Sequence, residues 1–255
     1  MNLLRSVIWA ALGTGFAFLM TSLGAATVFL FRGAPRPGPQ RTLLGFAAGV
    51  MTAASVWSLL LPAMERMQRI GALPAWLPAA VGVLAGAAFL AALDDLLPRL
   101  RRGRDEDPAR RKSALLMTAI TLHNVPEGMA VGLAFALAAE GEGLAGAAAL
   151  ALGIGVQNFP EGAAVALPLR QEGRSGGRAF ALGVLSGAVE PLFGVLVVLV
   201  AASAARLMPW LLSFAAGAML YVTVEELIPQ AHSRAGTCGF VGGFLLMMVL
   251  DAALG

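Results

Sequence analysis

Cysteine and charged side chains are both scarce in this chain. The single cysteine, Cys238, excludes an internal disulfide framework and a metal site built from clustered thiolates. Charged residues make up 13% of the 255 residues, about half the share that soluble globular proteins carry, so they cannot cover a water-facing surface. Hydrophobic residues make up 58% of the chain instead, which is typical of a protein embedded in a lipid bilayer.

Apolar stretches recur along the whole chain, and most of them reach the ~20 residues that a helix needs to cross a bilayer. They lack the two-residue alternation of a transmembrane β-barrel, and the 31 glycines suit helices that pack closely in lipid. The sequence therefore predicts an all-α polytopic membrane protein with one transmembrane domain over residues 1–255. The eight predicted transmembrane helices cover residues 5–31, 42–64, 75–98, 113–139, 143–169, 178–204, 207–230 and 236–254.

Basic residues are distributed unevenly between the connections of these helices. Of the 18 Lys and Arg residues, 14 fall in the odd-numbered connections, and half of those lie in the loop 99–112. Cytoplasmic loops are enriched in Lys and Arg, so this loop is predicted to be cytoplasmic and both termini extracytoplasmic. Trp9, Trp76 and Trp210 fall at predicted outer helix ends, as an interfacial aromatic belt would place them. This distribution explains the basic balance without a nucleic acid partner, and we expect a multi-pass protein of the inner (plasma) membrane.

Three pairs of segments repeat along the chain, and the predicted helices of each pair cross the membrane in opposite directions. The pairs are Phe46-Ala47-Ala48-Gly49-Val50-Met51 with Phe214-Ala215-Ala216-Gly217-Ala218-Met219, each followed by a proline, Pro62 and Pro229; Leu12-Gly13 and Gly24 with Leu182-Gly183 and Gly194; and His123-Asn124-Val125-Pro126-Glu127-Gly128 with Gln157-Asn158-Phe159-Pro160-Glu161-Gly162. Repeats of this kind are typical of secondary transporters, whose binding sites lie near the midplane at the repeat interface. The pattern predicts an inverted repeat that relates helices one to three to helices six to eight, with helices four and five as an antiparallel central pair.

The central pair carries ionisable side chains near the middle of the predicted membrane. Such side chains are costly in lipid and by default mark a site or a pathway. His123 and Glu127 are four residues apart and share a helix face, as Gln157 and Glu161 do. A proline inside each motif leaves a carbonyl one turn earlier without its helical donor, which kinks the helix. The remaining polar candidates are Asn124, Asn158 and the carboxylate of Glu190-Pro191 on helix six.

One imidazole, three carboxylates and three amides form this candidate set. Imidazole together with carboxylate oxygens suits zinc, manganese or ferrous iron, and three carboxylates are enough for one ion or for two adjacent ions. Three alternatives remain open at this point: a proton relay or structural polar network, a proton-coupled carrier of an organic solute, and an intramembrane metalloenzyme. The sequence contains no His-Glu-x-x-His metalloprotease motif and no Gly-x-x-x-x-Gly-Lys-Ser/Thr nucleotide motif, which disfavours both an enzyme and pumping driven by a nucleotide.

The repeated motifs resemble those of the ZIP (Zrt/Irt-like protein) family of divalent metal transporters, in its bacterial GufA-like branch. The resemblance covers essentially the whole chain, from the eight helices and outside termini to the two Asn-x-Pro-Glu-Gly motifs. It implies transport of divalent metal, most simply zinc uptake into the cytoplasm, with cadmium, iron or manganese as other cargo. It also implies alternating access by an elevator-like movement, a homodimer, and a protein that is not an enzyme.

The resemblance further implies a role for individual residues. It makes a binuclear metal centre of His123, Asn124, Glu127, Gln157, Asn158, Glu161 and Glu190, with Met51 as a thioether near the first metal. Glu225 and Glu226 are second-tier candidates near the inner end of the path. The chain departs from some relatives in carrying Asn158 where they carry aspartate, which removes one negative charge from the second metal position. Asp251 has no role in this interpretation.

Overall fold

A computed structural model describes residues 3–30, 37–71, 73–100, 108–141, 143–203 and 205–254. Within these ranges the regular secondary structure is entirely helical, which confirms the predicted all-α class. Residue 31 of the first predicted helix, residue 204 of the sixth and residues 101–107 of the predicted loop 99–112 lie outside the described residues. The α-helices are α1 (Leu3–Ala26), α2 (Pro37–Ala54), α3 (Leu61–Ile70), α4 (Trp76–Leu100), α5 (Pro108–Ala139), α6 (Leu144–Gln171), α7 (Gly176–Gly187), α8 (Val189–Ser203), α9 (Met208–Val222), α10 (Ile228–Ala231) and α11 (Arg234–Leu254).

Six stretches of helix are long and apolar enough to cross a membrane, so the chain is a multi-pass membrane protein. They are Leu3–Phe29, Gly38–Ile70, Trp76–Leu96, Gly176–Ala201, Met208–Ala231 and Arg234–Ala253. The helices α5 and α6, with 32 and 28 residues, are also long enough, but their polar motifs lower their mean hydropathy and they are not among the six.

Two π-helical segments occur at matching places in the Phe-Ala-Ala-Gly helices. Ser55–Leu60 joins α2 to α3, and Thr223–Leu227 joins α9 to α10. Each begins four residues after the methionine of its repeated segment and lies just before Pro62 or Pro229. A proline has no backbone N–H to donate to the preceding turn, so a locally wider helix accommodates the altered hydrogen bonding. The sequence repeat is therefore matched by a repeat of local helix geometry.

The helices divide into two groups according to their contacts. The motif group consists of α1 and α5–α8, in which α1 lies along α6 and α5 lies along α8. The flanking group consists of α2–α4 and α9–α11, in which α2 lies along α11 and α4 lies along α9. These four helix pairs have the most extensive contacts in the described structure, and the groups meet where α2, α9 and α11 lie against α5 and α6.

The glycine that ends each central motif allows a neighbouring helix to approach closely. Gly128 lies against the backbone of Glu190 in α8, and Gly162 lies against the backbone of Thr21 in α1. A Cβ atom at either glycine would overlap those backbone atoms, so a larger residue would force the helices apart. These two crossings bring α1 and α8 beside the polar side chains of α5 and α6.

Candidate metal centre

The polar side chains of the two motifs form one buried cluster. Each is 3% exposed or less, although carboxylates are rarely buried without a partner. The motif spacing places the side chains of α5 opposite those of α6. Glu190 joins the cluster from the second position of α8, two residues after the break at Ala188 between α7 and α8. The members are His123, Asn124 and Glu127 from α5, Gln157, Asn158 and Glu161 from α6, and Glu190 from α8.

Glu190 is held by donors from two other helices. The Asn158 amide donates from Nδ2 to Glu190 Oε2 over 2.8 Å, and the Thr21 hydroxyl lies 3.1 Å from Glu190 Oε1. The same hydroxyl is 3.3 Å from the Ala17 carbonyl, so its contact with the Glu190 carboxylate is the shorter of the two. We call Thr21, Asn158 and Glu190 the closed half of the centre, because both oxygens of its carboxylate have a donor.

The other side chains leave acceptor oxygens without a donor. Gln157 donates from Nε2 to Glu127 Oε1 over 2.7 Å, so one oxygen of Glu127 is engaged and the other has no donor among the described residues. Glu161 has no donor within that part of the chain for either of its oxygens. We call His123, Glu127, Gln157 and Glu161 the open half of the centre.

Six buried oxygens in total lack a hydrogen-bond donor among the described residues. They are Asn124 Oδ1, Glu127 Oε2, Gln157 Oε1, Asn158 Oδ1 and both carboxylate oxygens of Glu161. A buried polar atom without a partner costs about 1–3 kcal/mol, so a cluster of six needs a compensating charge. A cation would satisfy several of these oxygens at once, and oxygen with imidazole nitrogen is a ligand combination that divalent metals accept.

Carboxylates and histidine alone do not form the site. In the part of the chain that the structure describes, no three His, Cys, Asp or Glu side chains are grouped closely enough to hold a metal ion by themselves. A metal in the open half would therefore also need the amide oxygens that the motifs supply. The asparagine and glutamine of the repeated motif are thus as important to the chemistry as its glutamates.

A narrow cleft leads away from the open half. It has a volume of about 70 Å³, and His123 and Glu161 lie at one end while Gln40, Glu226 and Gln230 line its other part. Glu226 is close enough to Glu161 for the two carboxylates to repel each other. Of the two second-tier candidates, the structure places Glu226 on this cleft, whereas Glu225 is exposed and is not among the residues that line it.

A larger cavity of about 320 Å³ lies near the other ends of the helices. Glu65, Arg69 and Asp251 are among its lining residues. Asp251, for which the sequence suggested no role, accepts a 2.5 Å hydrogen bond from the Ser58 hydroxyl. Nearby, Arg66 forms a 2.6 Å ion pair with Glu140 that connects α3 of the flanking group to the end of α5.

The structure places Met51 in the buried core of α2. Its sulfur lies 3.8 Å from the hydroxyl of Thr223, the first residue of the second π segment. The core around it is formed mainly by alanine and aliphatic side chains. Its predicted role as a thioether ligand therefore remains a prediction.

Sequence reasoning missed Thr21 and the backbone contribution of Ser186. Thr21 donates to Glu190, and the Ser186 carbonyl accepts a 2.8 Å hydrogen bond from the Asn124 amide. A signal for Thr21 was present in the sequence. The buried residues of α1 form a stripe of small and hydroxyl side chains at helical spacing, which is typical of a helix packed inside a membrane bundle. The stripe is Ser6, Ala10, Gly13, Thr14, Ala17, Thr21, Gly24 and Ala25.

Comparison with known proteins identifies relatives along nearly the whole chain. Residues 105–251 match the family model described as ZIP Zinc transporter. The chain is 42% identical over 247 residues to Zinc transporter GufA of Myxococcus xanthus, with 92% of this chain and 94% of the relative covered. It is 39% identical over 271 residues to Zinc transporter ZIPB of Bordetella bronchiseptica, with 97% and 82% covered.

A eukaryotic relative is similar at nearly the same level. Zinc transporter ZIP11 of Homo sapiens is 37% identical over 340 aligned positions, which cover 98% of each chain. These relatives are named as transporters, in agreement with the prediction that the chain is not an enzyme.

Proposed function

The chain belongs to the ZIP zinc transporter family, and from this premise we propose that it carries zinc across the inner (plasma) membrane into the cytoplasm. Cadmium, iron and manganese are other divalent ions that the same ligand types accept. A membrane potential that is negative inside favours inward movement of a doubly charged ion by about 4.6 kcal/mol per 100 mV, twice the value for one charge.

The observation that carries this proposal is the group of six buried oxygens without donors, beside His123. Zinc in the open half would take its ligands from His123, Glu127, Gln157 and Glu161, of which His123 and Glu161 line the cleft. Asn124 and Met51 would act as further ligands or neighbours of the metal. Glu226 would receive the ion as it leaves, with Glu225 beyond it. Carboxylates along the cleft would keep a doubly charged ion stable while it loses its water shell.

The eight-span topology with an inverted repeat is part of the proposal, and two observations support it. In the proposed repeat, spans one to three (α1, α2–α3 and α4) correspond to spans six to eight (α7–α8, α9–α10 and α11), and α5 corresponds to α6. Under this relation the pair α2–α11 corresponds to the pair α9–α4. In the same way α1–α6 corresponds to α8–α5. These are the four pairs with the most extensive contacts. The two π segments, at matching positions of α2–α3 and α9–α10, agree with the same relation.

The two cavities lie toward opposite ends of the helices. The larger cavity is lined by residues near the last turns of α3, α5 and α11 and the first turn of α6. The cleft is lined by residues near the opposite ends, such as Gln40, Pro168 and Gln230. In the proposed topology, with extracytoplasmic termini, the helix ends around the larger cavity lie on the extracytoplasmic side and those around the cleft lie on the cytoplasmic side. The metal centre then faces the cytoplasm through the cleft.

We propose that alternating access occurs by movement of the motif group against the flanking group. The side chains that the two groups share are mostly small and aliphatic, such as Ala47, Val50 and Ala134. An interface of this kind has few directional contacts to break when one group slides along the other. A homodimer, as the family resemblance implies, would fix the flanking group in the membrane while the motif group moves.

A proton-coupled organic carrier fits the cleft poorly. Its volume of about 70 Å³ corresponds to roughly two water molecules at ~30 Å³ each, which suits an ion and its last waters. Pockets that hold organic ligands commonly measure about 300–1,000 Å³. The size of the cleft therefore favours a metal ion over an organic solute.

Zinc uptake into proteoliposomes tests the proposed function. We expect saturable uptake by the wild type and its loss in Glu127→Ala and His123→Ala. His232→Ala is the matched control, because the second of the two histidines is exposed and lies outside the cleft. Folded protein that moves no divalent metal under any ion gradient would contradict the proposal.

A further inference from the structure

We infer that Thr21 and Asn158 close the Glu190 half of the centre, so that the motif centre of this chain holds one zinc ion and not two. This inference rests on the proposed function, since it concerns how many ions the same centre holds. It gives Thr21 and Asn158 a positioning role through Glu190.

The first argument is the difference in how the three carboxylates are engaged. Both oxygens of Glu190 have donors, one oxygen of Glu127 has a donor, and neither oxygen of Glu161 has one among the described residues. The donors of Glu190 come from α1 and α6, so three helices hold this carboxylate in place. The lone pairs that point toward those donors are not available to a metal.

The second argument is the distance between Asn158 and Glu190. Two ligands of one tetrahedral zinc, each 2.0–2.2 Å from the metal, lie about 3.3–3.6 Å apart. Asn158 Nδ2 and Glu190 Oε2 are 2.8 Å apart, which is the distance of a direct hydrogen bond. A zinc ion placed between these two groups would have to break this bond and turn the amide over, because an amide NH₂ group is not a metal ligand.

The orientation of the Asn158 amide is fixed by its neighbours. Glu190 Oε2 at 2.8 Å and the Ala17 carbonyl at 3.5 Å are both acceptors, so the side-chain NH₂ group must face them. Turning the amide over would bring its oxygen against two other oxygens. The NH₂ group thus presents partial positive charge to Glu190 Oε2.

The third argument is access. His123 and Glu161 line the cleft, whereas Glu190 is fully buried and is not among the residues that line it. Gly187 packs against this region, because a Cβ atom there would lie 2.9 Å from Thr21 Cγ2 and 3.3 Å from Glu190 Oε1. Both carboxylate oxygens of the closed half therefore have donors and the cleft does not reach them, so its one remaining acceptor is the neutral amide oxygen Asn158 Oδ1.

The decisive experiment counts zinc bound to purified protein in detergent, by elemental analysis after equilibrium dialysis. Binding sites elsewhere contribute equally to each variant, so differences between variants report on the centre. We expect Glu161→Gln to lose one zinc per chain, Glu190→Gln to keep the wild-type number, and Asn158→Asp to gain one. Aspartate cannot donate to Glu190, so two facing carboxylates would accept a second ion.

The outcomes separate this inference from the proposed function. Loss of one zinc in Glu190→Gln, or no gain in Asn158→Asp, would overturn the single-ion centre while leaving transport intact. No loss in Glu161→Gln would contradict the proposed function itself. Each variant is accepted only if it elutes as a single species in size-exclusion chromatography.

A second measurement uses the wild type alone and does not depend on the folding of a variant. Wild-type protein saturated with Mn²⁺ is examined by electron paramagnetic resonance. We expect the signal of isolated Mn²⁺ ions and no spin-coupled pair. A spin-coupled Mn²⁺ pair in the wild type would overturn the inference.

Discussion

The open and closed halves of the centre share one repeated motif, which supplies Gln157 and Glu161 to the first and Asn158 to the second, yet Glu161 and Glu190 have opposite hydrogen-bonding states. In the open half, Glu161 faces a cleft and has no donor among the described residues. In the closed half, Asn158, only three residues earlier on the same helix, donates to a glutamate that is fully engaged. The comparison shows that the motif supplies the residue types, whereas the neighbouring helix decides what each residue does.

The difference also separates two tasks that a transport site must combine. Ligands for a transported ion have to release it, so they should face the path and should not depend on the ion for their own position. Residues that hold the helices together need lasting partners, because an unpaired polar group inside a membrane is costly. Glu161 has the surroundings of the first kind of residue, and Glu190 has those of the second.

The largest effect is expected from removing the charge of the open half. Glu161→Gln should reduce zinc uptake by at least about 100-fold, because changes even outside the direct ligands of a metal commonly cost 10–100-fold. Initial rates in proteoliposomes over a range of zinc concentrations measure this loss. Glu172→Gln is the control, since it changes an exposed carboxylate just beyond the end of the same helix. A loss of less than twofold in Glu161→Gln would mean that the open half does not bind the cargo.

The next effect tests whether the closed half depends on the close crossing of α1 and α6. In Gly162→Ala the new methyl group would overlap the Thr21 backbone, so the two helices must separate. Overpacking of this kind costs about 1–3 kcal/mol, and we expect a lower unfolding temperature in detergent. Gly15→Ala on α1 is the matched control, because a Cβ atom there meets nothing within 4 Å. Equal unfolding temperatures for the two variants would show that this crossing is not needed.

Much of the fold and of the cluster could be predicted because they rest on local patterns. The all-α class follows from long apolar runs, and the buried cluster follows from polar residues at helical spacing in the middle of such runs. His123 and Glu161 were identified in this way, and the structure places both on one cleft. Pro62 and Pro229 were recognised as part of the repeat, and π segments lie beside both.

The contacts between distant helices could not be predicted in the same way. Thr21 and Glu190 are 169 residues apart, and no spacing rule connects them. Ser58 and Asp251, separated by 193 residues, form another such contact. Tertiary packing determines which polar groups meet. The sequence therefore predicted Glu190 as a metal ligand but could not predict its two hydrogen-bond donors, Thr21 and Asn158.

The smallest effect that we expect comes from removing a single donor of the closed half. Thr21→Val keeps the shape of the side chain but leaves Glu190 Oε1 without its hydroxyl donor, which should cost about 0.5–1.5 kcal/mol of stability. Thr14→Val is the matched control on the same helix, because Thr14 is also buried but bonds only its own helix, through the Ala10 carbonyl at 2.7 Å. Unfolding in detergent compares the two variants, and zinc uptake is measured in parallel. A larger loss of stability in Thr21→Val, with zinc affinity kept, would mean that the closed half serves the structure of the site. If Thr21→Val instead weakens zinc binding as strongly as a change in the open half, the two halves act as one metal site and the comparison fails.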